Sequence, residues 1–240
     1  MAVILRELII LKKKFWRYFL SFSISPLLYF ITFGWAGRHS VLAHGSQYDA
    51  FLLPGLVAMS AMINSFSLST EINVARFYWK TFDEIRTAPV ADWAYVAGEI
   101  VGGTIRGCLA AIVVIIMGLL FGVDMRVSSP LFLCLIMTTV VFSALAVSTA
   151  MLAKSHADQG ILSSFVITPM AFLCGTFFPV ETYPQWIQWI VRLMPLTPAS
   201  HLIRAAAAGK PLPMGSLGYL AAFGAMSVAL AIFVIRRTRD

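Results

Sequence analysis

The chain has 240 residues, of which 59% are hydrophobic and only 12% are charged. Soluble domains carry roughly a quarter charged residues, so this composition excludes an ordinary water-soluble protein. The net charge of +7 would suit a nucleic-acid partner, but Lys and Arg are also enriched in the cytoplasmic loops of membrane proteins. Their distribution along the chain favours the second explanation. The sequence therefore predicts an all-α, polytopic membrane protein with no nucleic-acid partner.

The N-terminal residues 1–17 mix apolar side chains with Arg6, Glu7 and a lysine run, as in a helix that lies in the membrane interface. The next apolar run is longer than the core of a signal peptide, which favours an uncleaved first span over cleavage after VLA at 41–43. Several runs approach or exceed the roughly 18–20 residues that cross a bilayer as a helix. We predict one permease domain, 1–240, with six spans at about 18–36, 50–70, 94–121, 131–153, 160–178 and 215–235.

The positive charges predict the orientation of these spans. With the N-terminus inside, the cytoplasmic segments hold twelve Lys and Arg residues and the outer loops hold five, with Arg106 inside a span. The positive-inside rule then places both termini in the cytoplasm. The stretch RFYWKTFDEIRTAPV, 76–90, becomes a cytoplasmic loop between the second and third spans.

Residues 72–90 predict a short amphipathic helix. Val74, Tyr78, Phe82 and Ile85 form one apolar stripe at helical spacing, and Pro89 marks the end of the helix. The amphipathic part of this stretch is twelve to fourteen residues long, which is too short to cross a bilayer but allows a helix that lies along its inner surface. It is either a passive connector or a docking helix for a cytoplasmic partner. The residues assigned to docking are Arg76, Lys80, Phe82, Asp83, Glu84, Arg86 and Pro89.

Two charges lie in the third span, Glu99 and Arg106, seven residues apart and therefore on one face. Charges are costly at membrane depth. We expect Glu99 to reach the inner interface and Arg106 to need a partner or a water-filled crevice, either as a structural ion pair or as a substrate contact. Nearby glycines, among them Gly103 and Gly107, favour close helix packing. The polar side chains of the second span either bond between helices or line a cavity.

The segment 179–214 is rich in proline and tryptophan and predicts short helices on or dipping into the outer membrane surface. It is either an external lid or a rim where a substrate leaves. The residues assigned to it are Pro179, Glu181, Pro184, Trp186 and Pro195.

No chemistry of its own is predicted for this chain. The only Gly-Lys pair, Gly209-Lys210, lacks the pattern of a phosphate-binding loop. The histidines are scattered, and the three cysteines fall in apolar runs at unrelated spacings. We therefore predict no catalytic residue, no metal site and no cofactor.

The combined order of three stretches resembles the membrane subunit of ABC-2 type ABC transporters over essentially the whole chain. These stretches are FLLPGLVAMSAMINSF (51–66), FDEIRTAPV (82–90) with GEIVGGTIRG (98–107), and FFPVETYPQWIQWIVRLMPLTPASHLIR (177–204). The resemblance implies that 1–17 is a connecting helix and 72–90 a coupling helix, with the family's acidic and proline positions at Glu84 and Pro89. It also implies that 179–214 is re-entrant.

The resemblance further implies an exporter built from two permeases and two separate ATPase subunits, which bind ATP and Mg²⁺, in the bacterial inner membrane. Its pathway runs along spans two and five, which makes Asn64, Ser67, Thr168 and Phe172 candidates for lining it. An amphiphilic or hydrophobic cargo fits the short outer loops and apolar interior. An ion-coupled secondary transporter and a non-transporting membrane scaffold remain as alternatives.

Overall fold

The computed structural model describes residues 15–38, 45–79 and 91–239, and within these ranges it contains helices and no strand. The helices are α1 Phe15–Arg38, α2 Gly45–Phe66, α3 Leu68–Phe77, α4 Asp92–Leu120, α5 Ser129–Leu152, α6 His156–Leu162, α7 Thr168–Leu173, α8 Gln185–Leu193, α9 Leu196–Ala207 and α10 Met214–Arg239. A π-helical turn, Ser163–Ile167, joins α6 to α7, and a 3₁₀ turn, Val180–Thr182, precedes α8.

Four stretches of the described chain are long and apolar enough to cross a membrane. They are Tyr48–Phe77, Asp92–Leu120, Ser129–Leu152 and Met214–Arg237, and they correspond to the predicted spans two, three, four and six. Helix α1 is 24 residues long and includes the apolar stretch Phe22–Gly34. The all-helical membrane fold is thus confirmed, while the count of six spans stays a prediction. The interfacial helix expected at 1–17 lies mostly outside the described residues.

The predicted fifth span differs most from a regular helix. It is helical over 156–173 but widens into the π-helical turn at Ser163–Ile167. Pro169 has no N–H to donate to the preceding turn, and its ring crowds the carbonyl four residues back, so an α-helix is disfavoured at this point. The widened turn relieves that conflict, and the Thr168 hydroxyl donates to the Ser163 carbonyl at 3.2 Å.

Helix α2 is the central element of the fold. Leu52, Leu56 and Val57 are fully buried, and α2 packs against α1, α4, α5 and α9. Helix α10 packs mainly on α5 and keeps Met226 and Phe233 exposed, as expected for a helix that faces lipid. The bundle therefore surrounds α2, and α3 continues it toward the segment that carries the predicted docking residues.

Glycines allow α4 to approach its neighbours closely. A β-carbon at Gly107 would overlap the Ser65 hydroxyl of α2, and one at Gly103 would lie 3.0 Å from the β-carbon of Ser143 on α5. Two of the glycines that the sequence marks as a packing face thus lie where α4 meets α2 and α5. Such contacts are typical of helix packing in membranes, where small residues bring backbones together.

Candidate functional site

A cleft of about 320 Å³ lies between the α2–α3 stretch and the broken helix α6–α7, with Tyr29 of α1 as a third wall. Its lining is apolar and aromatic with five hydroxyl groups, one of them the phenol of Tyr29: Tyr29, Met59, Ile63, Phe66, Ser67, Thr70, Ser163, Ile167, Thr168, Ala171 and Phe172. None of these side chains carries a charge. Such a surface suits an uncharged or amphiphilic molecule, because the rings offer contact area and the hydroxyls offer hydrogen bonds.

The structure brings three of the four pathway candidates to this cleft. Ser67 lies at the break between α2 and α3, and Thr168 and Phe172 lie on α7. Asn64 is not part of the lining, and its side-chain amide donates to the Ser60 carbonyl at 2.9 Å in its own helix. A transport role for any of the four stays a prediction.

The end of the cleft near Thr70 and Ser163 is called the inner end, following the orientation that the positive charges predict. Here Arg106 is buried and forms an ion pair with Glu71 of α3, whose side chain is about half exposed. Arg106 therefore has the partner that its depth requires. Glu71 was not among the residues singled out from the sequence, although an acidic residue at the end of an apolar span was a usable signal.

Glu99 does not reach the interface as expected. Its side chain is only 3% exposed and is enclosed by the helix bundle. The expectation failed because α4 turns this face toward its neighbouring helices and not toward the lipid surface. A buried carboxylate is costly unless it is hydrogen-bonded or paired, and Glu99 does have interactions within the fold.

Helix α3 is attached to α5 and α6 by polar contacts at the inner end. Arg76 donates from one nitrogen to three carbonyls at the end of α5: Ala150 at 3.1 Å, Met151 at 2.9 Å and Ala153 at 3.2 Å. The last carbonyls of a helix lack partners within the helix and carry partial negative charge, so a guanidinium stabilises them. Arg76 therefore holds α3 against the end of α5, whatever docking role it has.

A second inner contact joins α3 to α6 through buried amides. The Gln159 amide donates to the Ser69 hydroxyl at 2.9 Å, and the Asn73 amide donates to the Gln159 carbonyl oxygen at 3.3 Å. Through its polar side chains α3 is thus linked to α4, α5 and α6. The remaining docking candidates, Lys80, Phe82, Asp83, Glu84, Arg86 and Pro89, lie outside the described residues.

At the outer end of the cleft the residues assigned to an external gate have different surroundings. Pro179, Pro184 and Pro195 immediately precede the 3₁₀ turn, α8 and α9, where proline is favourable because it constrains the backbone and needs no N–H partner. Glu181 is exposed, and Trp186 is 67% exposed on the apolar face of α8. None of the five lines the cleft.

An outer residue that the sequence did not single out is Arg204 of α9. Its guanidinium lies over the Phe51 ring, with 3.8 Å between the guanidinium carbon and the ring centre. Burial lowers the pKa of Arg204 to about 10, and the charge of Glu181 opposes this shift. The group therefore remains cationic at neutral pH. The sequence places Arg204 only among the charges of an outer loop.

Within the described residues, no group of three or more His, Cys, Asp or Glu side chains is placed to hold a metal ion.

Comparison with known proteins adds independent evidence. A family model described as "ABC-2 type transporter" matches residues 1–207. The "Inner membrane transport permease YadH" of Escherichia coli (strain K12) is 32% identical over 176 residues, which cover 72% of this chain and 68% of that protein. "Nodulation protein J" of Rhizobium meliloti (strain 1021) is 31% identical over 218 residues, covering 88% of this chain and 83% of that protein. The corresponding protein of Neorhizobium galegae is 30% identical over the same length.

Proposed function

The chain belongs to the ABC-2 type transporter family as a membrane subunit of an ABC transporter, and we propose that it is one half of the transmembrane part of an ATP-driven exporter. It is a multi-pass protein of the bacterial inner membrane. Members of this permease family lack an ATPase motif of their own, and the family implies a partner ABC ATPase. In this proposal the permease provides the path across the membrane, and the separate ATPase chain hydrolyses ATP.

The arrangement in the membrane that we propose has six spans with both termini in the cytoplasm. Helix α1 is the first span, and the broken stretch 156–173 with its following turn is the fifth. The excess of positive charge in the inner segments supports this orientation. The short helices α8 and α9, which separate the fifth and sixth spans, form an external re-entrant region.

The complete transporter that we propose consists of two ABC ATPase subunits, which bind ATP and Mg²⁺, and two copies of this permease. Each ATPase contacts the coupling residues between Arg76 and Pro89. ATP binding shifts the permeases from inward-open to outward-open only if the ATPase binds these two states with different free energies. The polar links from α3 to α4, α5 and α6 support this proposal, because a displacement of the coupling segment would pull directly on three further helices.

The lining of the cleft supports our proposal that the cargo is amphiphilic or hydrophobic. It extends along the α2–α3 stretch and the broken helix, and its lining combines three aromatic rings with hydroxyls and no charge. In the dimer that we propose, two such clefts face one another and form the pathway. Export from the cytoplasm or the inner leaflet is the direction that the family resemblance implies.

ATP hydrolysis in lipid vesicles tests this function. A candidate ABC ATPase from a neighbouring reading frame is measured alone, with the permease, and with the Glu84→Arg variant of the permease. We expect the permease to bind the ATPase and change its rate, and Glu84→Arg to abolish that change while inserting normally. Asp124→Arg is the matched control, because it makes the same charge change at an exposed position in the turn after α4. Wild-type coupling in Glu84→Arg would contradict the assignment, and no association at all would favour an ion-coupled transporter or a scaffold.

A further inference from the structure

The guanidinium of Arg204 is surrounded by backbone carbonyls from two parts of the chain. Its Nε donates to the Phe51 carbonyl of α2 at 3.2 Å. One terminal nitrogen donates to the carbonyls of Gly175 and, at 3.4 Å, Thr176. Arg204 therefore joins α9 both to α2 and to the turn that follows α7.

That turn, residues 174–177, is called the outer turn. Each of its four carbonyls accepts a hydrogen bond from a side chain: Cys174 from the Ser200 hydroxyl at 3.1 Å, Gly175 and Thr176 from Arg204, and Phe177 from the Tyr48 hydroxyl at 3.1 Å. Gly175 has a φ of 77°, so the helix cannot continue through it. The carbonyls of the outer turn therefore lack hydrogen-bond partners within a helix, and side chains of α2 and α9 donate to them instead.

The outer turn positions an aromatic ring behind the cleft. Phe177 is only 1% exposed. Its ring centre lies 4.3 Å from that of Phe33, 5.5 Å from that of Tyr29 and 5.3 Å from that of Phe172, on which it stacks. Tyr29 and Phe172 line the cleft. A displacement of the outer turn would therefore remove the support of two rings in the cleft wall.

We propose that Arg204 is a positioning residue that keeps the outer end of the cleft closed by fixing the outer turn and, through it, the ring of Phe177. The chain of contacts is continuous: α9, Arg204, the carbonyls of 175 and 176, Phe177, and then Tyr29 and Phe172. Arg204 has two acceptors in the outer turn and one in α2. Movement of α9 relative to α2 would therefore break these bonds together and release the Phe177 ring from its neighbours in the cleft wall. This inference rests on the proposed function only in taking the cleft as the pathway.

The test measures access to the cleft from outside, independently of transport. A thiol is introduced by Ala171→Cys, at a position that lines the cleft and is buried, and its rate of reaction with a membrane-impermeant maleimide is measured in right-side-out vesicles. Each variant is compared with the same variant lacking Ala171→Cys, because Cys174 of the outer turn is itself a free thiol. We expect slow labelling with Arg204 present and labelling about tenfold faster in Arg204→Met, because a charged donor to buried carbonyls is lost. Arg204→Lys should give an intermediate rate, since a lysine donates to carbonyls but lacks the planar fork.

Two further variants make the outcome decisive. Arg192→Met removes a guanidinium whose described hydrogen bond is to Gln188 of its own helix, and it should leave labelling unchanged. Phe177→Ala removes the ring but keeps the backbone anchors, and it should accelerate labelling as Arg204→Met does. If Arg204→Met does not insert into the membrane, Phe177→Ala decides alone. Unchanged labelling in Phe177→Ala would overturn the proposal.

This result is distinguishable from failure of the proposed function. If the neighbouring ATPase does not respond to the permease while labelling changes as expected, the closure exists and the ATP-driven function is wrong. If ATPase coupling is normal but Phe177→Ala leaves labelling unchanged, the closure by Arg204 and Phe177 is wrong and the transporter assignment stands.

Discussion

The two ends of the cleft are held by different kinds of contact. At the inner end, side chains of α3 bind other helices, through the Glu71–Arg106 pair, the Gln159 amide and the bonds of Arg76 to the end of α5. At the outer end, four successive backbone carbonyls accept hydrogen bonds from buried or half-buried side chains, and aromatic rings stack behind them.

This difference predicts how each end of the cleft responds to substitution. A side-chain pair can separate and re-form with little change in the backbone. A turn whose carbonyls are all bound moves only as a unit, since each freed carbonyl costs free energy in a buried setting. We therefore expect a substitution at the inner end to weaken one contact at a time and a substitution at the outer turn to affect the whole turn.

The largest effect is expected from splitting the inner ion pair. Arg106 is 2% exposed and Glu71 is 47% exposed, so Glu71→Leu removes one charged partner of a buried cation, at a cost of about 3 kcal/mol. Arg106→Met should cost less, because the Glu71 carboxylate can be hydrated. The free energy of unfolding in mixed detergent micelles measures both. Equal losses of unfolding free energy in the two variants would contradict the expectation that the exposed Glu71 carboxylate tolerates the loss of its partner better than the buried Arg106 does.

An intermediate effect is expected from a pair of glycine substitutions. A β-carbon at Gly55 would overlap the Thr176 carbonyl and Arg204 at the outer turn, whereas one at Gly160 of α6 meets nothing within 4 Å. Gly55→Ala should lower the free energy of unfolding by about 2 kcal/mol through overpacking. Gly160→Ala should be neutral or raise it by up to about 1 kcal/mol, since alanine favours the helix. If both variants unfold alike, the rigid packing of the outer turn is wrong.

The smallest effect on stability is expected from Gln159→Met. The change removes two buried hydrogen bonds, one to Ser69 and one from Asn73, and should cost about 1–2 kcal/mol, since a typical hydrogen bond contributes roughly 1 kcal/mol net. If α3 transmits motion to α6 through these bonds, Gln159→Met should reduce the effect of the permease on the ATPase rate by more than its loss of stability accounts for. Gln185→Met, at an exposed position of α8, is the matched control. Lost stability with intact coupling would contradict a transmitting role for this contact.

Hydropathy predicted four membrane-length stretches of the described chain, because length and apolar composition are properties of each segment alone. Three were placed to within a few residues, and the second was predicted to end at about residue 70 although it continues to Phe77. It could not predict that Arg106 pairs with Glu71, since that depends on how α4 and α3 are rotated about their axes. The same limit explains the error on Glu99, whose burial follows from the face that α4 turns inward. The placement of Ser67, Thr168 and Phe172 on one cleft came from the family resemblance and not from periodicity.

Arg204 escaped sequence analysis for a different reason. A single arginine in a proline-rich outer segment has the pattern of a solvated loop charge. Its burial requires that α9 fold back against α2, and it requires the positive φ at Gly175 that exposes two carbonyls to it. Neither condition is visible in the spacing of residues. The short helices of this segment were predicted, and Pro179, Pro184 and Pro195 immediately precede them, because the constraint that proline places on the backbone is local.

The carbonyl oxygens of residues 51, 175 and 176 converge on one positive centre, as carbonyls do around a dehydrated alkali ion in a channel filter. Here the cation is covalently attached to the protein and cannot exchange with the surroundings. The outer turn therefore needs no sodium or potassium to be held in place. We therefore expect the outer turn to be held equally well whichever monovalent salt is present at the outer end of the cleft.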